Sequence, residues 1–109
     1  MQLAILANRE GIIADVKHRF PEEPVVVAQV VPDMSDYLKV AKSFAQAIEE
    51  KTSLGDDIVL VLAAPVVVAY MLGVMFAHSS RRIQMGAFNL QTKQYELIDV
   101  SNHLTLHLQ

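Results

Sequence analysis

The chain has 109 residues, of which 52% are hydrophobic and 19% charged, so we expect one folded domain over residues 1–109, and this composition argues against intrinsic disorder. It contains no cysteine, which excludes disulfides, thiolate metal sites and a cysteine nucleophile. The formal net charge of -3 argues against binding to DNA or to an anionic membrane surface, although local donors can still hold a small anion.

The N-terminal residues Met1–Glu10 have no basic start and too short an apolar run for a signal peptide, so we expect a cytoplasmic protein. A stretch without charge from Ile58 to Ala77 has about the length of a membrane span, and Asp56-Asp57 and Arg81-Arg82 flank it. Pro65 divides this stretch into a β-branched part and a helix-like part. That division favours a strand followed by a helix over a membrane span.

The first half of the chain predicts two strand–helix units. Leu3–Ala7 is a short apolar run typical of a buried strand, and Gly11–Phe20 follows with apolar residues at helical spacing. Val25–Val31 is almost continuously apolar, as expected for a parallel strand covered on both faces. A helix from about Asp36 to Lys51 follows, with Asp33 or Ser35 available as its N-cap. The predicted buried stripe of this helix is Leu38, Ala41, Phe44, Ala45 and Ile48.

The second half predicts a further strand–helix unit and a hairpin. Ile58–Ala63 is the third strand, and a proline then opens a helix from Val66 to about Ser79. Because this helix is apolar on every side, it is either buried all round or packed against another subunit. Polar and apolar residues alternate in Arg82–Leu90, which predicts a fourth strand. A turn at Gln91-Thr92 then leads to a predicted antiparallel partner strand at Lys93–Val100. Polar and apolar residues also alternate in His103–Leu108, which is consistent with an edge strand.

The order β-α-β-α-β-α-β-β predicts an α/β protein, a Rossmann-like three-layer sandwich with a mainly parallel sheet and an antiparallel C-terminal hairpin. Ligands bind such sheets beyond the carboxyl ends of the strands, near the point where the strand order reverses. The candidate ligand-binding residues at this edge are Asn8, Arg9, Asp33, Ser35, Ala63, Ala64, Pro65, Val66, Val67 and Asn89.

Arg9 is the candidate phosphate ligand, because a guanidinium directly after a central strand can bind a phosphate through two hydrogen bonds. The amides of Val66 and Val67 at a helix N-terminus also favour anions. The alternatives are that Arg9 is an ordinary surface charge and that Asn8 is a turn residue. Arg81-Arg82 lies at the opposite edge, and we interpret that pair as solvated surface.

The sequence offers no clear catalytic or metal-binding constellation. His103 and His107 fall on one strand face about 13 Å apart, too far to share a metal. Glu10 and Asp33 lie at the ligand-binding edge, where each either caps a helix or acts as a base. No GxGxxG or P-loop pattern is present, which argues against the familiar dinucleotide and nucleoside triphosphate sites. We expect no metal, no cofactor and no catalytic residue other than, at most, Arg9.

The segment Val59–Gly73, the run Arg82–Met85 and Tyr95 are together similar to the core of SAVED domains. In that core, a strand runs into small residues, a proline, an apolar helix with a glycine, and a strand ahead of a tyrosine-bearing hairpin. SAVED domains and the related CARF domains are Rossmann-like sensors of cyclic oligonucleotides in prokaryotic defence. A chain this short, with no effector attached, resembles the small stand-alone CRISPR-associated proteins of type III systems.

This resemblance implies that Ala64, Pro65 and the following amides line a nucleotide pocket and that the Asn8-Arg9 loop faces the same ligand. It also implies a homodimer or higher homo-oligomer with the cyclic ligand across a two-fold axis. The expected function is sequestration of a cyclic oligoadenylate, above all cyclic tetra-adenylate, which tunes antiviral signalling. The alternatives are a metal-independent ring nuclease, in which Arg9 stabilises the developing charge, and a non-enzymatic assembly subunit without a nucleotide ligand.

Overall fold

The computed structural model describes residues 1–77, 79 and 81–98, and these form one five-stranded sheet with three helices packed on it. The strand order is β2-β1-β3-β4-β5; β1 to β4 are parallel, and β5 is antiparallel to β4. This confirms the predicted α/β architecture with its C-terminal hairpin. The elements are β1 (Gln2–Ala7), α1 (Glu10–Arg19), β2 (Val25–Val30), α2 (Tyr37–Lys51), β3 (Asp57–Leu62), α3 (Val66–Phe76), β4 (Arg82–Asn89) and β5 (Gln94–Ile98).

The core consists of two hydrophobic layers, one on each face of the sheet. Successive side chains of a strand point to opposite faces, so β1 contributes to both layers. Leu3, Ile5 and Ala7 pack with α1, whereas Ala4 and Leu6 pack with α2 and α3. Helices therefore cover both faces of the sheet. β2, which we expected to be covered on both faces, is instead the edge strand, and Val27 is its one buried residue.

The start of α2 differs from the prediction. Asp36 is the N-cap, and its Oδ1 accepts a hydrogen bond from the amide of Lys39 at 3.3 Å. The prediction of Asp33 or Ser35 as the cap is wrong, because Asp33 instead accepts from the amide of Ser35 at 3.0 Å within the preceding loop.

The buried stripe of α2 is also displaced from the predicted one. Val40, Phe44 and Ile48 are buried at four-residue spacing, and Ala41 and Ala45 complete the buried stripe. Leu38, which we expected inside, is 49% exposed because it falls at the edge of that stripe, beyond Ala45. Placing Leu38 in the core was therefore wrong, and Val40 takes its place.

The hairpin turn is longer than predicted. The amide of Lys93 donates to the carbonyl of Asn89 at 2.7 Å, and Lys93 has a left-handed φ of 58°, so β5 begins only at Gln94. The side-chain Oδ1 of Asn89 accepts from the amides of Gln91 and Thr92 and stabilises this turn. The predicted end of the strand at Val100 and the predicted edge strand His103–Leu108 lie outside the described residues.

The charge-free stretch divides as Pro65 suggested, into β3, a short loop and the 11-residue helix α3. Within the described residues, no helix is long and apolar enough to cross a membrane. Val68, Leu72 and Phe76 of α3 are buried against α2 and the sheet, but Tyr70 on the opposite side is 74% exposed. The protomer alone therefore does not bury α3 all round, and the helix ends at Phe76 rather than near Ser79.

Arg81 is half-buried, so its interpretation as solvated surface was wrong. Its Nε donates to Oγ1 of Thr52 at 2.8 Å, and that hydroxyl donates in turn to the carbonyl of Ile48 at 2.6 Å. The guanidinium thus lies at the C-terminal end of α2, where a positive charge is favourable, and it ties the start of β4 to that helix. Its neighbour Arg82 is exposed, as expected.

Gly86 provides a test of how closely β4 packs on β3. A Cβ at this buried position would lie 2.8 Å from Cγ2 of Val61 and 3.4 Å from Cγ1 of Val59. Both neighbours are stiff, buried β-branched residues. We therefore expect Gly86→Ala to lower the free energy of unfolding by about 1–3 kcal/mol, measured by urea denaturation.

Gly73→Ala is the matched control, because a Cβ there meets nothing within 4 Å on the exposed side of α3. Helix propensity alone should make that variant more stable by about 0.5–1 kcal/mol. Equal stability of Gly86→Ala and the unmodified chain would contradict the close packing of Gly86 on β3.

Candidate ligand-binding site

The carboxyl ends of β1, β2 and β3 form one edge of the sheet, and the strand order reverses there. The chain runs from β1 to β2 on one side of it and then to β3 on the other. The ladder continues past the strands, since the amide of Val31 donates to the carbonyl of Ala7 at 2.9 Å and the amide of Ala63 donates to that of Leu6 at 2.8 Å. Both loops are thereby held against β1 where a parallel sheet usually binds ligands.

A broad cleft of about 730 Å³ opens at this edge, and we call it the rim cavity. Its volume lies within the range of small-molecule sites, which is roughly 300–1,000 Å³. Of the residues predicted from the sequence, the structure brings six into its wall. The lining residues are Asn8, Arg9, Ile12, Pro32, Met34, Ser35, Tyr37, Leu62, Ala63, Ala64 and Pro65.

Four predicted residues lie outside this wall. Asp33 lines a separate cavity of about 290 Å³ beside α2. The side chains of Val66 and Val67 are exposed at the start of α3, next to the wall residue Pro65. Asn89 lies in the hairpin turn, where its carboxamide binds the turn amides and Glu96. None of the four side chains therefore contributes to the cavity wall.

The candidate residues named from the sequence leave out five wall residues, most of them apolar, which are Ile12, Pro32, Met34, Tyr37 and Leu62. Met34 is buried beneath the loop after β2, and Tyr37 presents a ring that is 42% exposed. Tyr37 directly follows the true N-cap Asp36, so a correct assignment of that cap would have identified an aromatic residue at the edge of the sheet. An exposed aromatic ring beside a polar loop offers a stacking surface for a flat ligand.

Arg9 is the charged residue of the rim cavity. It occupies the N-cap position of α1 in an extended conformation, without a side-chain capping bond. Within the described residues Arg9 forms no ion pair; the ion pair found there joins the N-terminal amino group to Glu23 at 3.8 Å. An exposed guanidinium with no carboxylate partner at the mouth of a cleft is suited to bind an anion.

The start of α3 adds backbone donors at the same edge. The amides of Val68 and Ala69 both donate to the carbonyl of Pro65, which leaves the amides of Val66 and Val67 as the N-terminal donors of the helix. The first turn of α3 contains no acidic residue, so nothing within it offsets the positive end of the helix dipole.

No carboxylate or imidazole is found among the described residues that line the rim cavity. Both candidate bases, Glu10 and Asp33, lie outside this lining. Across the described part of the chain, no group of three or more metal-ligating side chains comes together. His103 and His107 lie outside that part.

Asp33 still shapes the loop that borders the cavity. The amide of Ser35 donates to its carboxylate, and this hydrogen bond lowers the pKa of Asp33 below the ordinary value of 3.8. The interaction holds Met34 and Ser35 between the end of β2 and the start of α2. Its contribution to stability is present above the ordinary pKa and is lost as the pH falls through the lowered one.

Comparison with family models, curated proteins and solved structures gave no match to this chain. A functional assignment therefore depends on the residues of the site.

Tyr95 of β5 provides a test of where Arg9 lies. Burial raises the pKa of its phenol above the ordinary value of 10.0; the negative charge of Asp15 raises it further, and the positive charge of Arg9 lowers it. We therefore expect Arg9→Gln to raise the pKa of Tyr95 and Asp15→Asn to lower it. Ultraviolet titration of the phenols measures both shifts, with Tyr95→Phe identifying the signal.

The same shift sets the sign of a stability change at high pH. A raised pKa means that the folded chain holds the phenol proton more tightly than the unfolded chain does, so the free energy of unfolding falls as the pH rises above about 10. An Arg9→Gln variant with an unchanged pKa of Tyr95 would contradict the proximity of these two side chains.

Proposed function

We propose that the protein binds a phosphorylated ligand of the nucleotide class in the rim cavity, and that this ligand is a cyclic oligoadenylate. The observation that carries the proposal is Arg9. Among the residues that the structure describes, its guanidinium forms no ion pair and is the single charged group lining the cleft at the reversal of strand order. The cation selects for an anion, and its position is where α/β sheets bind nucleotides. The resemblance to SAVED and CARF domains supplies the cyclic oligoadenylate as the specific candidate.

Each part of a nucleotide has a matching group in the cleft. Arg9 can bind a phosphate through two hydrogen bonds, and the N-terminal amides of α3 can bind a second anionic oxygen. Asn8 carries both a donor and an acceptor for a base edge or a ribose hydroxyl. Ala63 and Ala64 leave room for a flat ring to approach the backbone, and Tyr37 offers its face for stacking.

Sequestration is favoured over cleavage by the absence of a base from the cleft wall. Opening a cyclic oligoadenylate requires activation of a ribose 2′-hydroxyl and stabilisation of the developing charge. Arg9 can perform the second task, but the part of the cavity wall that the structure describes contains no carboxylate or imidazole to perform the first. We therefore propose that the protein tunes type III CRISPR or related antiviral signalling by holding the messenger rather than degrading it.

We further propose that the protein acts as a homodimer through α3. Val66, Tyr70 and Val74 repeat at four-residue spacing and are 81%, 74% and 59% exposed, so they form an apolar stripe on the outer side of the helix. Burying this stripe against a second copy would remove an exposed hydrophobic surface. Because Pro65, the N-cap of α3, lies in the cavity wall, such a pairing would bring two rim cavities towards one interface, as suits a symmetric ring.

Binding can be tested on the full chain with cyclic tetra-adenylate by isothermal titration calorimetry. Arg9→Gln should weaken binding by roughly 1.5–3 kcal/mol, or about tenfold or more, because a charge-assisted hydrogen bond is lost. Lys51→Gln is the matched control: it removes the same charge from an exposed position in the last turn of α2 and should leave the affinity unchanged.

The ligand class is tested with cyclic oligoadenylates of several ring sizes. Absence of both heat of binding and thermal stabilisation with every ring would overturn the proposed ligand. Chromatography of the ligand after incubation with a chelator then separates the two modes of action. An intact ring supports sequestration, whereas an opened ring would establish a metal-independent ring nuclease.

The dimer can be tested by multi-angle light scattering of the full chain. Tyr70→Glu should raise the dissociation constant of the dimer by at least about tenfold, because it places a charge in the centre of the apolar stripe. Gln46→Glu is the control, since it adds the same charge to an exposed site on α2. A monomer at micromolar concentrations, with or without nucleotide, would refute the homodimer.

A further inference from the structure

A second cavity of about 660 Å³ lies between α1 and the β4–β5 hairpin, and we call it the hairpin groove. It is distinct from the rim cavity, but Arg9 and Ile12 line both. Arg9 could therefore contact a ligand in either cavity. It could also contact a single ligand that extends from one cavity into the other.

The groove is positively charged although the chain as a whole is acidic. Arg9, Arg19 and Lys93 line it, against the single carboxylate of Asp15. Within the described residues none of these three cations forms an ion pair, and Arg19 instead lies 5.2 Å from the ring centroid of Phe20. Such a local excess of cations selects for an anionic ligand.

The groove also contains a pair of aromatic rings. Phe88 and Tyr95 are cross-strand neighbours on β4 and β5, with ring centroids 5.2 Å apart and an edge-to-face angle of 63°. Phe88 is 49% exposed, so part of its ring surface remains available to a planar group. Aromatic side chains beside cations are the combination with which proteins bind the bases and phosphates of single strands.

The hairpin turn places a cation next to these rings. Lys93 adopts the left-handed φ of 58°, which is uncommon for residues other than glycine, asparagine and aspartate. The bonds from Asn89 to the turn amides hold that conformation. Lys93 therefore belongs to a well-defined turn rather than to a loose loop.

We infer that the hairpin groove holds a second nucleotide unit of the ligand whose first unit occupies the rim cavity, an inference that rests on the proposed function. The second base stacks on Phe88 and Tyr95, and Lys93 binds its phosphate. Arg9 binds the phosphate that joins the two units. Asp15 accepts a hydrogen bond from a ribose hydroxyl or an exocyclic amine. The ligand recognised by one protomer is therefore at least a dinucleotide.

The inference can be tested by calorimetry on the full chain with two probes, adenosine 5′-monophosphate and the 5′-phosphorylated linear diadenylate. A stacked base and a further phosphate contact predict that the diadenylate binds at least about tenfold more tightly. Lys93→Asn should remove most of this advantage and leave the affinity for the monophosphate unchanged. Asparagine tolerates the left-handed conformation, so the turn is preserved.

Further variants isolate the contribution of the ring and of the charge. Tyr95→Leu should reduce the affinity for the diadenylate by about fivefold or more, whereas Tyr95→Phe should retain it, because only the first removes the stacking face. Lys51→Asn, which removes a lysine charge far from the groove, should leave the affinity for both probes unchanged.

The outcomes separate this inference from the proposed function. If both proposals are correct, Arg9→Gln lowers the affinity for both probes, and Lys93→Asn lowers only the affinity for the diadenylate. If the monophosphate binds through Arg9 but the diadenylate binds no more tightly, the second unit is refuted and the rim site stands. If Lys93→Asn lowered the affinity for both probes by the same factor, the two-unit arrangement would also be overturned. If neither probe binds and no cyclic oligoadenylate binds either, both proposals fall.

Discussion

The complete burial of β1 is the constraint on which the other elements depend. Leu3–Ala7 are all 0% exposed, with hydrophobic layers on both faces and a parallel strand on each side. A strand removed from water in this way must pair its backbone groups within the sheet, and β2 and β3 provide those partners. The same arrangement makes the end of β1 the point where the strand order reverses. Asn8 and Arg9, the first exposed residues after it, are delivered to the ligand-binding edge.

The order and type of the elements could be predicted from the spacing of apolar residues, because each helix or strand that packs in the sheet needs apolar side chains on its buried face. Features that depend on contacts between distant residues were not predictable in this way. Arg81 is half-buried because it binds Thr52, a residue 29 positions away. The start of α2 was ambiguous for a local reason, since Asp33, Ser35 and Asp36 are all good N-caps and only the last is used.

The candidate site was predictable to the extent that it follows from sheet topology. The rule for parallel strands placed Arg9 and the run Ala63–Pro65 at one edge, and the structure gathers them in one cleft. The rule also included Asn89, because β4 ends at the same edge. However, β3 separates β4 from the point where the strand order reverses, and the side chain of Asn89 binds the turn amides instead. The hairpin groove could not be foreseen, because it depends on how α1 packs beside Tyr95.

The sharing of Arg9 between the two cavities couples them electrostatically. Burial and the negative charge of Asp15 raise the pKa of Tyr95, and the positive charge of Arg9 offsets part of that rise, although Tyr95 does not line the rim cavity. An anion bound to Arg9 would offset that charge, so binding should raise the pKa of Tyr95 even if the ligand never touches the ring. By reciprocity, ionisation of Tyr95 at high pH must then weaken binding of the anion. If the proposed anion binds there, Arg9 would link occupancy of the rim cavity to the ionisation of Tyr95 in the hairpin groove without any change in the fold.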